Sequence, residues 1–330
     1  MPNPTIALVT GGYSSEAVIS YKSAITIEKH IDKSRYHVYR IDITPDKWFH
    51  RKETGEEVGV NKDDFSLTIE GKRIHFDAVF IGIHGTPGED GKLQGYFDLL
   101  NIPYTSCDTT TSAITFNKRY TVAIAGAAGF AVAKSIHLFK DSHKEKLSQL
   151  AQLNFPVFVK PNNGGSSIGM SKVASSDGLQ SALAKAFKED DQVLIEEFIA
   201  GREFTIGVFK SKGKVITLPF TEVMSQNDFF DFEAKYQGKS TEGTPAECNE
   251  EIAQKVRTAA SGIYSIFNCR GVVRMDFIFN EKDQLPYLLE INTVPGQSDA
   301  SIVPQQVAAM GMDLKDFYSM LIDDALESKK

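Results

Sequence analysis

The chain is poor in cysteine, has no long apolar run and carries no excess of positive charge, and each shortage closes off a class of protein. Its three cysteines, Cys107, Cys248 and Cys269, are widely spaced and fall in no metal-binding pattern. They predict unpaired thiols in a reducing cytoplasm rather than disulfides or a nucleophile. The most continuous apolar stretch, Val122 to Ala133, is too short to span a bilayer. The opening MPNPTIALVTGG has no basic region followed by an apolar core, so no signal peptide is expected. A net charge of −7 and a pI near 5.6 argue against nucleic acid or an anionic membrane as partner. Neither GxGxxG nor a GK[ST] ending occurs where a glycine-rich loop does, which counts against a dinucleotide fold and a Walker loop.

What is present is a chain of 330 residues, long enough for two or three domains, in alternating strand and helix patterns. Thr5 to Val9 reads as a buried strand, then a helix from about Ser14 to Ile31 with Ser14 or Ser15 as its cap and Glu16 in its first turn. His37 to Ile43 gives a second strand, and Trp48 to Phe76 short hairpins turning at Gly55 and Glu70-Gly71. The apolar strand Ala78 to Ile83 ends in His84-Gly85-Thr86-Pro87-Gly88-Glu89-Asp90-Gly91. Loops at the carboxyl ends of parallel strands are where ligands bind, so His84 is a candidate substrate contact. Helices are expected over Lys92 to Leu100, Ser112 to Gly126, Asp141 to Gln152, Asp177 to Lys188, Glu250 to Phe267 and Met310 to Ala325. In the fifth, Ile252, Val256, Ala259, Ile263 and Ile266 lie at helical spacing and read as core.

Three stretches carry chemistry. In YLLEINTVPGQSDAS, Tyr287 to Ser301, Glu290 and Asn292 stand two apart inside an apolar strand and so point to one face. Arg274 and Asp276 do the same in VVRMDFI. Pairing of the two as antiparallel strands across a turn at Asn280 to Gln284 would make an oxygen-only site of the kind Mg²⁺ takes beside phosphates. The plain alternative is a hairpin with a solvated polar face. In FPVFVKPNNGGSSIGMSKV, a strand carrying Lys160 runs into a glycine-serine loop whose N–H groups and hydroxyls suit phosphate oxygens. In QVLIEEF, a strand end with Glu196 and Glu197 can offer backbone groups to an adenine edge, and Glu203 beyond it could hold ribose hydroxyls. Residues 229–246, aromatic and then carrying two glycines and a proline, read as a lid.

Taken together, these motifs resemble the D-alanine–D-alanine ligases of the ATP-grasp superfamily. The matching pieces are Gly11 to Glu16, His84-Gly85 through Gly88 to Gly91, Asn117-Lys118, Val159-Lys160-Pro161 through Gly165 to Lys172, Phe232 to Tyr236, Arg274-Met275-Asp276, and Leu289 to Thr293 with Pro295-Gly296. They run in the family's order over nearly the whole chain. The resemblance implies an α/β (α+β) ATP-grasp fold: a Rossmann-like parallel-sheet domain over 1–119, a central lid domain over 120–207 and a third domain over 208–330 with the metal and second-substrate sites. It implies that ATP is held by Lys118, Lys160, Ser166, Ser167, Glu196, Glu197, Ile199 and Glu203. Two Mg²⁺ ions, for which Mn²⁺ can substitute, would sit on Asp276, Glu290 and Asn292. Glu16 and His84 would hold the first D-alanine, and Ser301 and the Gly296 backbone would receive the second.

The chemistry so implied is an acyl transfer. The γ-phosphoryl of ATP passes to the carboxylate of the first D-alanine, and the amine of the second attacks the acyl phosphate. Arg274 and the Gly296 N–H would stabilise the oxyanion. Glu16, Ser166 and Tyr236 would form a link that positions the loops and excludes water. No histidine in the matched motifs is an evident base for the amine. The chain departs from the family at Val294 and Gln297, where serine and methionine are common, and at Ala300, where histidine is frequent; the lid has Phe230 and Phe232 for tyrosines. Tyr236 favours D-alanine over D-lactate as the second substrate, the alternative being a ligase of the D-alanine–D-lactate type. A nucleotide-binding regulatory module would lack the metal and oxyanion residues, which are all present. The resemblance also implies a homodimer in the cytoplasm that contacts small molecules and neither nucleic acid nor membrane.

Overall fold

A computed structural model describes residues 2–165, 167–225 and 240–328. The described residues build three main sheets. The first has strand order β4-β3-β2-β1-β7, with β1 (Thr5–Gly11) parallel to both β2 (His37–Ile43) and β7 (Ala78–Ile81). β3 (Trp48–Arg51) and β4 (Glu57–Gly59) extend it antiparallel, turning at Gly55. β5 (Leu67–Ile69) and β6 (Lys72–Ile74) form the further expected hairpin. β1 is buried on both faces, as parallel strands are. Its Ile6 and Leu8 pack with Ala24 and Ile27 of α1 (Ala17–His30), while Ala7 and Val9 meet Phe65 and Phe97.

Helix α1 starts later than its hydroxyl residues suggest. Glu16 occupies the cap position without a side-chain capping bond, and Ser14 Oγ accepts the Glu16 N–H at 3.3 Å. Glu16 lines the first cavity described below. After α2 (Lys92–Leu99), the segment read as one helix over 112–126 is two, α3 (Thr109–Phe116) and α4 (Lys118–Ala127). Asn117 breaks it with extended backbone, and its side chain accepts the Tyr120 N–H of the next turn, an N-cap in mid-run.

The second sheet, order β10-β9-β11-β8, is antiparallel throughout: β8 (Ser135–Phe139), β9 (Val157–Pro161), β10 (Ser171–Val173) and β11 (Gln192–Glu197). The helix expected over 141–152 is instead one turn, α5 (His143–Lys146), followed by a 3₁₀ segment to Gln152. α6 (Leu179–Ala186) covers this sheet with Leu179, Ala182, Leu183 and Ala186.

The third sheet, order β15-β14-β12-β16-β17 with β13 (Lys214–Thr217) also on β12, carries the hairpin expected from its sequence. β12 (Arg202–Ser211) lies beside β14 (Thr221–Ser225) and then β15 (Ser240–Gly243) on one side. On its other side come β16 (Val272–Asn280) and β17 (Leu285–Asn292). Alternate residues Phe204, Ile206, Val273, Met275, Phe277 and Ile291 pack under α7 (Glu250–Ile266). Burial of each such side chain contributes roughly 1.5–3 kcal/mol, so the opposite face can be given to polar groups. Ile266, read as core, is exposed, because the buried arc of the helix runs through Ala253, Ala260, Tyr264 and Phe267 and leaves Ile266 at its edge. The last helix begins at Leu314, not Met310: α8 (Ile302–Ala309) comes first, then α9 (Leu314–Glu327). Phe317 and Tyr318 of α9 join the first sheet's Ile6, Leu8 and Phe80 to the third sheet's Phe209 and Val272 in one core. No helix among the described residues is long and apolar enough to cross a membrane.

Candidate active site

The polar face of the third sheet is the floor of the site. Asp276 pairs with Glu290 across the ladder and Arg274 with Asn292, a bulge following at Asp276/Phe277. Glu203 and Thr205 of β12 alternate with buried Phe204 and Ile206, and Thr205 stands opposite Asp276. The Arg274 guanidinium donates to both Asp276 oxygens, Nε to Oδ1 at 2.9 Å and Nη2 to Oδ2 at 2.8 Å, and Nη2 lies 3.7 Å from Glu290 Oε1. Thr205 Oγ1 donates to Asp276 Oδ1 at 2.5 Å, and Asn292 Oδ1 accepts the Val294 N–H at 3.0 Å.

This donor set suits a hard cation. Two neighbouring carboxylates and an amide oxygen share one face, and each carboxylate oxygen has more than one lone pair to offer. Among the described residues no three His, Cys, Asp or Glu side chains form a metal cluster, so an ion here would draw its remaining ligands from phosphate and water.

Two adjoining cavities open onto that floor. The first, about 360 Å³, is lined by Glu16, His84, Glu89, Arg274, Asn292, Gly296 and Ser301 among others. The second, about 490 Å³, is lined by Phe158, Lys160, Ser167, Met170, Glu196, Glu197, Ile199 and Leu289 among others. Lys118, Gly164, Gly165, Glu203, Asp276 and Glu290 line both. Every candidate site residue read from the sequence lines one or both cavities, apart from Ser166 and Tyr236, which lie outside the described residues.

In the second cavity, Lys160 and Glu196 form a largely buried ion pair at 2.5 Å. Lys118 Nζ donates to Gly164 O at 2.6 Å at the mouth of the glycine-serine loop. Asn162 secures that loop's root: its carbonyl accepts the Lys118 N–H at 3.1 Å and its side chain the Arg119 N–H at 2.9 Å. The start of α4 is thereby tied to the root of the loop. Glu197 turns its carboxylate to Asn154, accepting its N–H at 2.8 Å, so its side chain is occupied with holding the strand end.

In the first cavity, glycines allow close approach. A Cβ on Gly165 would come within 2.9 Å of Glu16 Oε1, and one on Gly296 within 2.7 Å of Ser301 Oγ. Ser301 Oγ accepts the Ser298 N–H at 3.1 Å and lies 2.8 Å from Ser298 Oγ. His84 is buried, and its ring nitrogen Nε2 is 3.0 Å from Ser23 Oγ. Burial pushes its pKa down to about 4, against the effect of a hydrogen bond with the Val294 backbone, so the ring is neutral at pH 7.

Sequence reading gave no role to several residues here. Glu89, part of the quoted motif, is half-buried, and its Oε2 accepts the Gly85 N–H at 2.5 Å. Loss of solvent, and then the nearby Glu16 carboxylate, push its pKa up to about 8. Glu242 of β15 lines the first cavity with its pKa also raised by burial. Gln306 of α8, fully buried, accepts the Gly207 N–H at 2.8 Å and donates to Thr205 O at 2.9 Å, plugging the fork where β13 and β14 leave β12.

Comparison with known proteins places this arrangement. A family model described as D-ala D-ala ligase N-terminus matches residues 5–107, and one described as D-ala D-ala ligase C-terminus matches 124–323. The chain is 46% identical over 325 residues to a D-alanine–D-alanine ligase of Parabacteroides distasonis, covering 98% of each. With that of Flavobacterium johnsoniae it shares 43% over 321 residues, 97% of this chain and 99% of the relative. Among solved structures, the VanG D-Ala:D-Ser ligase from Enterococcus faecalis superposes with a TM-score of 0.88 at 28% identity, covering 98% of this chain and 99% of that one. The Bacillus anthracis D-alanine–D-alanine ligase complexed with ATP gives 0.79 at 28% identity, covering 99% and 98%.

Proposed function

The chain belongs to the D-alanine–D-alanine ligase family, and from that premise we infer that it joins two D-alanine molecules into D-alanyl-D-alanine while ATP becomes ADP and phosphate. The observation that carries the reading is the wall shared by the two cavities. The more apolar cavity with Lys160 fits a nucleotide, the more polar one with Arg274 and Ser301 fits small amino acids, and Lys118, Asp276 and Glu290 line both. Phosphoryl transfer needs its donor and acceptor to meet at such a boundary.

A carboxylate does not accept an amine directly, so the first D-alanine is activated as its acyl phosphate. Glu16 faces its ammonium group, and Lys118 and Lys160 hold ATP phosphates under the glycine-serine loop with Ser166 and Ser167. Glu196, Glu197 and Ile199 bound the adenine, and Glu203 the ribose. Asp276, Glu290 and Asn292 are the residues that would hold Mg²⁺ ions, whose chemistry is to neutralise phosphate charge. The second D-alanine lies against Gly296 and Ser301, and its amine attacks the acyl carbon. Arg274, already fixed by Asp276, donates to the oxyanion, and phosphate leaves. Glu16, Ser166 and Tyr236 link the first domain to the loops that exclude water. Domains at 1–119, 120–207 and 208–330, a homodimer and a cytoplasmic location complete the reading.

Glu290→Gln tests it. The variant should lose ligation and keep its melting temperature, and full turnover at ordinary Mg²⁺ would break the assignment of the shared wall.

A further inference from the structure

The buried face of α1 carries three hydroxyls at steps of three residues, Ser20, Ser23 and Thr26, where helix packing ordinarily puts apolar side chains. Each has a partner outside the helix. Ser20 Oγ accepts the His84 N–H at 3.0 Å. Ser23 Oγ lies 3.0 Å from His84 Nε2 and accepts the Gln297 N–H at 3.0 Å. Thr26 Oγ1 donates to Asp299 Oδ1 at 3.1 Å. The ridge therefore grips two loops distant in sequence, the one after β7 at His84 and the one after β17 at 295–299. Gln297 is held from its other side as well, accepting from Tyr318 OH at 3.3 Å and donating to Pro295 O at 3.1 Å.

Ser23 is the centre of this arrangement because one oxygen serves both loops. A hydroxyl that accepts from the Gln297 N–H has a single proton to give, and Nε2 of a neutral imidazole can accept it. With its ring also hydrogen-bonded by the Val294 backbone, His84 is occupied within the protein.

We propose that the Ser20–Ser23–Thr26 ridge is a positioning device for the ligation, fixing the loop of the first D-alanine against the loop of the second, with His84 as the link to the first. This rests on the subsite reading above. The two reacting groups arrive from different loops, and bond formation requires them about 3–3.5 Å apart, a tolerance that a helix face holds better than two loops could hold between themselves. Ser23 touches no reacting atom and acts through the residues it holds.

The test is steady-state kinetics on the full chain, resolving the KM for each D-alanine and for ATP. Ser23→Ala should raise both D-alanine KM values about tenfold and lower kcat by a similar factor, with the ATP KM within about twofold. In a His84→Ala background it should add less than about twofold at the first subsite and keep its effect at the second. Thr26→Val, which replaces the hydroxyl with a methyl, should raise the second KM about threefold and leave the first unchanged. An effect of Ser23→Ala confined to one subsite, or matched by the ATP KM, overturns the proposal. If Ser23→Ala does not fold, Thr26→Val decides, an unchanged second KM counting against the ridge. A wild-type protein with no D-alanine-dependent turnover defeats the functional reading instead, whereas turnover with unaltered KM values in the variants defeats the ridge alone.

Discussion

Arg274 lays its guanidinium across both oxygens of Asp276, two residues along the same strand, so that the cation facing the first cavity is held at 2.9 and 2.8 Å by a residue facing both cavities. A lysine is a point charge and cannot reproduce the two parallel bonds of the planar fork. Arg274→Lys should lower kcat by about 10²–10³, the scale of losing one oxyanion donor, with the ATP KM within about twofold. A kcat near wild type would show that charge without the fork is enough.

The Lys160–Glu196 pair separates binding from stability. Its side chains are 11% and 7% exposed, so removing one partner strands a buried charge. Lys160→Met should cost about 3–5 kcal/mol of stability and raise the ATP KM at least about tenfold. The double variant Lys160→Met/Glu196→Met should recover most of the stability and none of the ATP affinity. Recovery of both, by denaturant unfolding and nucleotide titration, would mean that Lys160 has no part in holding ATP.

Gly296→Ala places a methyl 2.7 Å from Ser301 Oγ. Ser301 must shift, so the second D-alanine KM should rise about tenfold or more while ATP binding holds. An unchanged second KM would move the second subsite elsewhere.

Glu89 gives the protein a pH dependence. Its folded-state pKa is raised to about 8, so the folded form keeps a proton that the unfolded form has given up above the ordinary carboxylate range. The stability this proton represents is present at low pH and lost as pH rises through about 8. Melting temperatures measured from about pH 5 to about pH 9 should fall more for wild type than for Glu89→Gln, which stays neutral. Parallel curves would contradict this.

What the sequence shows plainly is what period and residue type encode together. Arg274, Asp276, Glu290 and Asn292 stand out because they alternate with Met275 and Ile291 in strands too apolar to be solvated, and their pairing across the turn follows. Asn117 is less legible: apolar spacing continues through it, and only an N-cap preference marks the break. α8 is hidden by its eight residues and by Pro304, which a first turn tolerates but which reads as a stop. Ser20, Ser23 and Thr26 are hidden differently. Hydroxyls on a helix read as a solvated face, and only the arrival of His84 and Gln297 from far along the chain makes that face interior.

The most direct measurement is phosphate release from Mg-ATP by the purified protein with D-alanine, L-alanine, or D-alanine plus D-lactate, with products identified by mass. Release that requires D-alanine and yields D-alanyl-D-alanine, with no depsipeptide, is the predicted result. Release indifferent to D-alanine, or a product other than the dipeptide, would contradict the account.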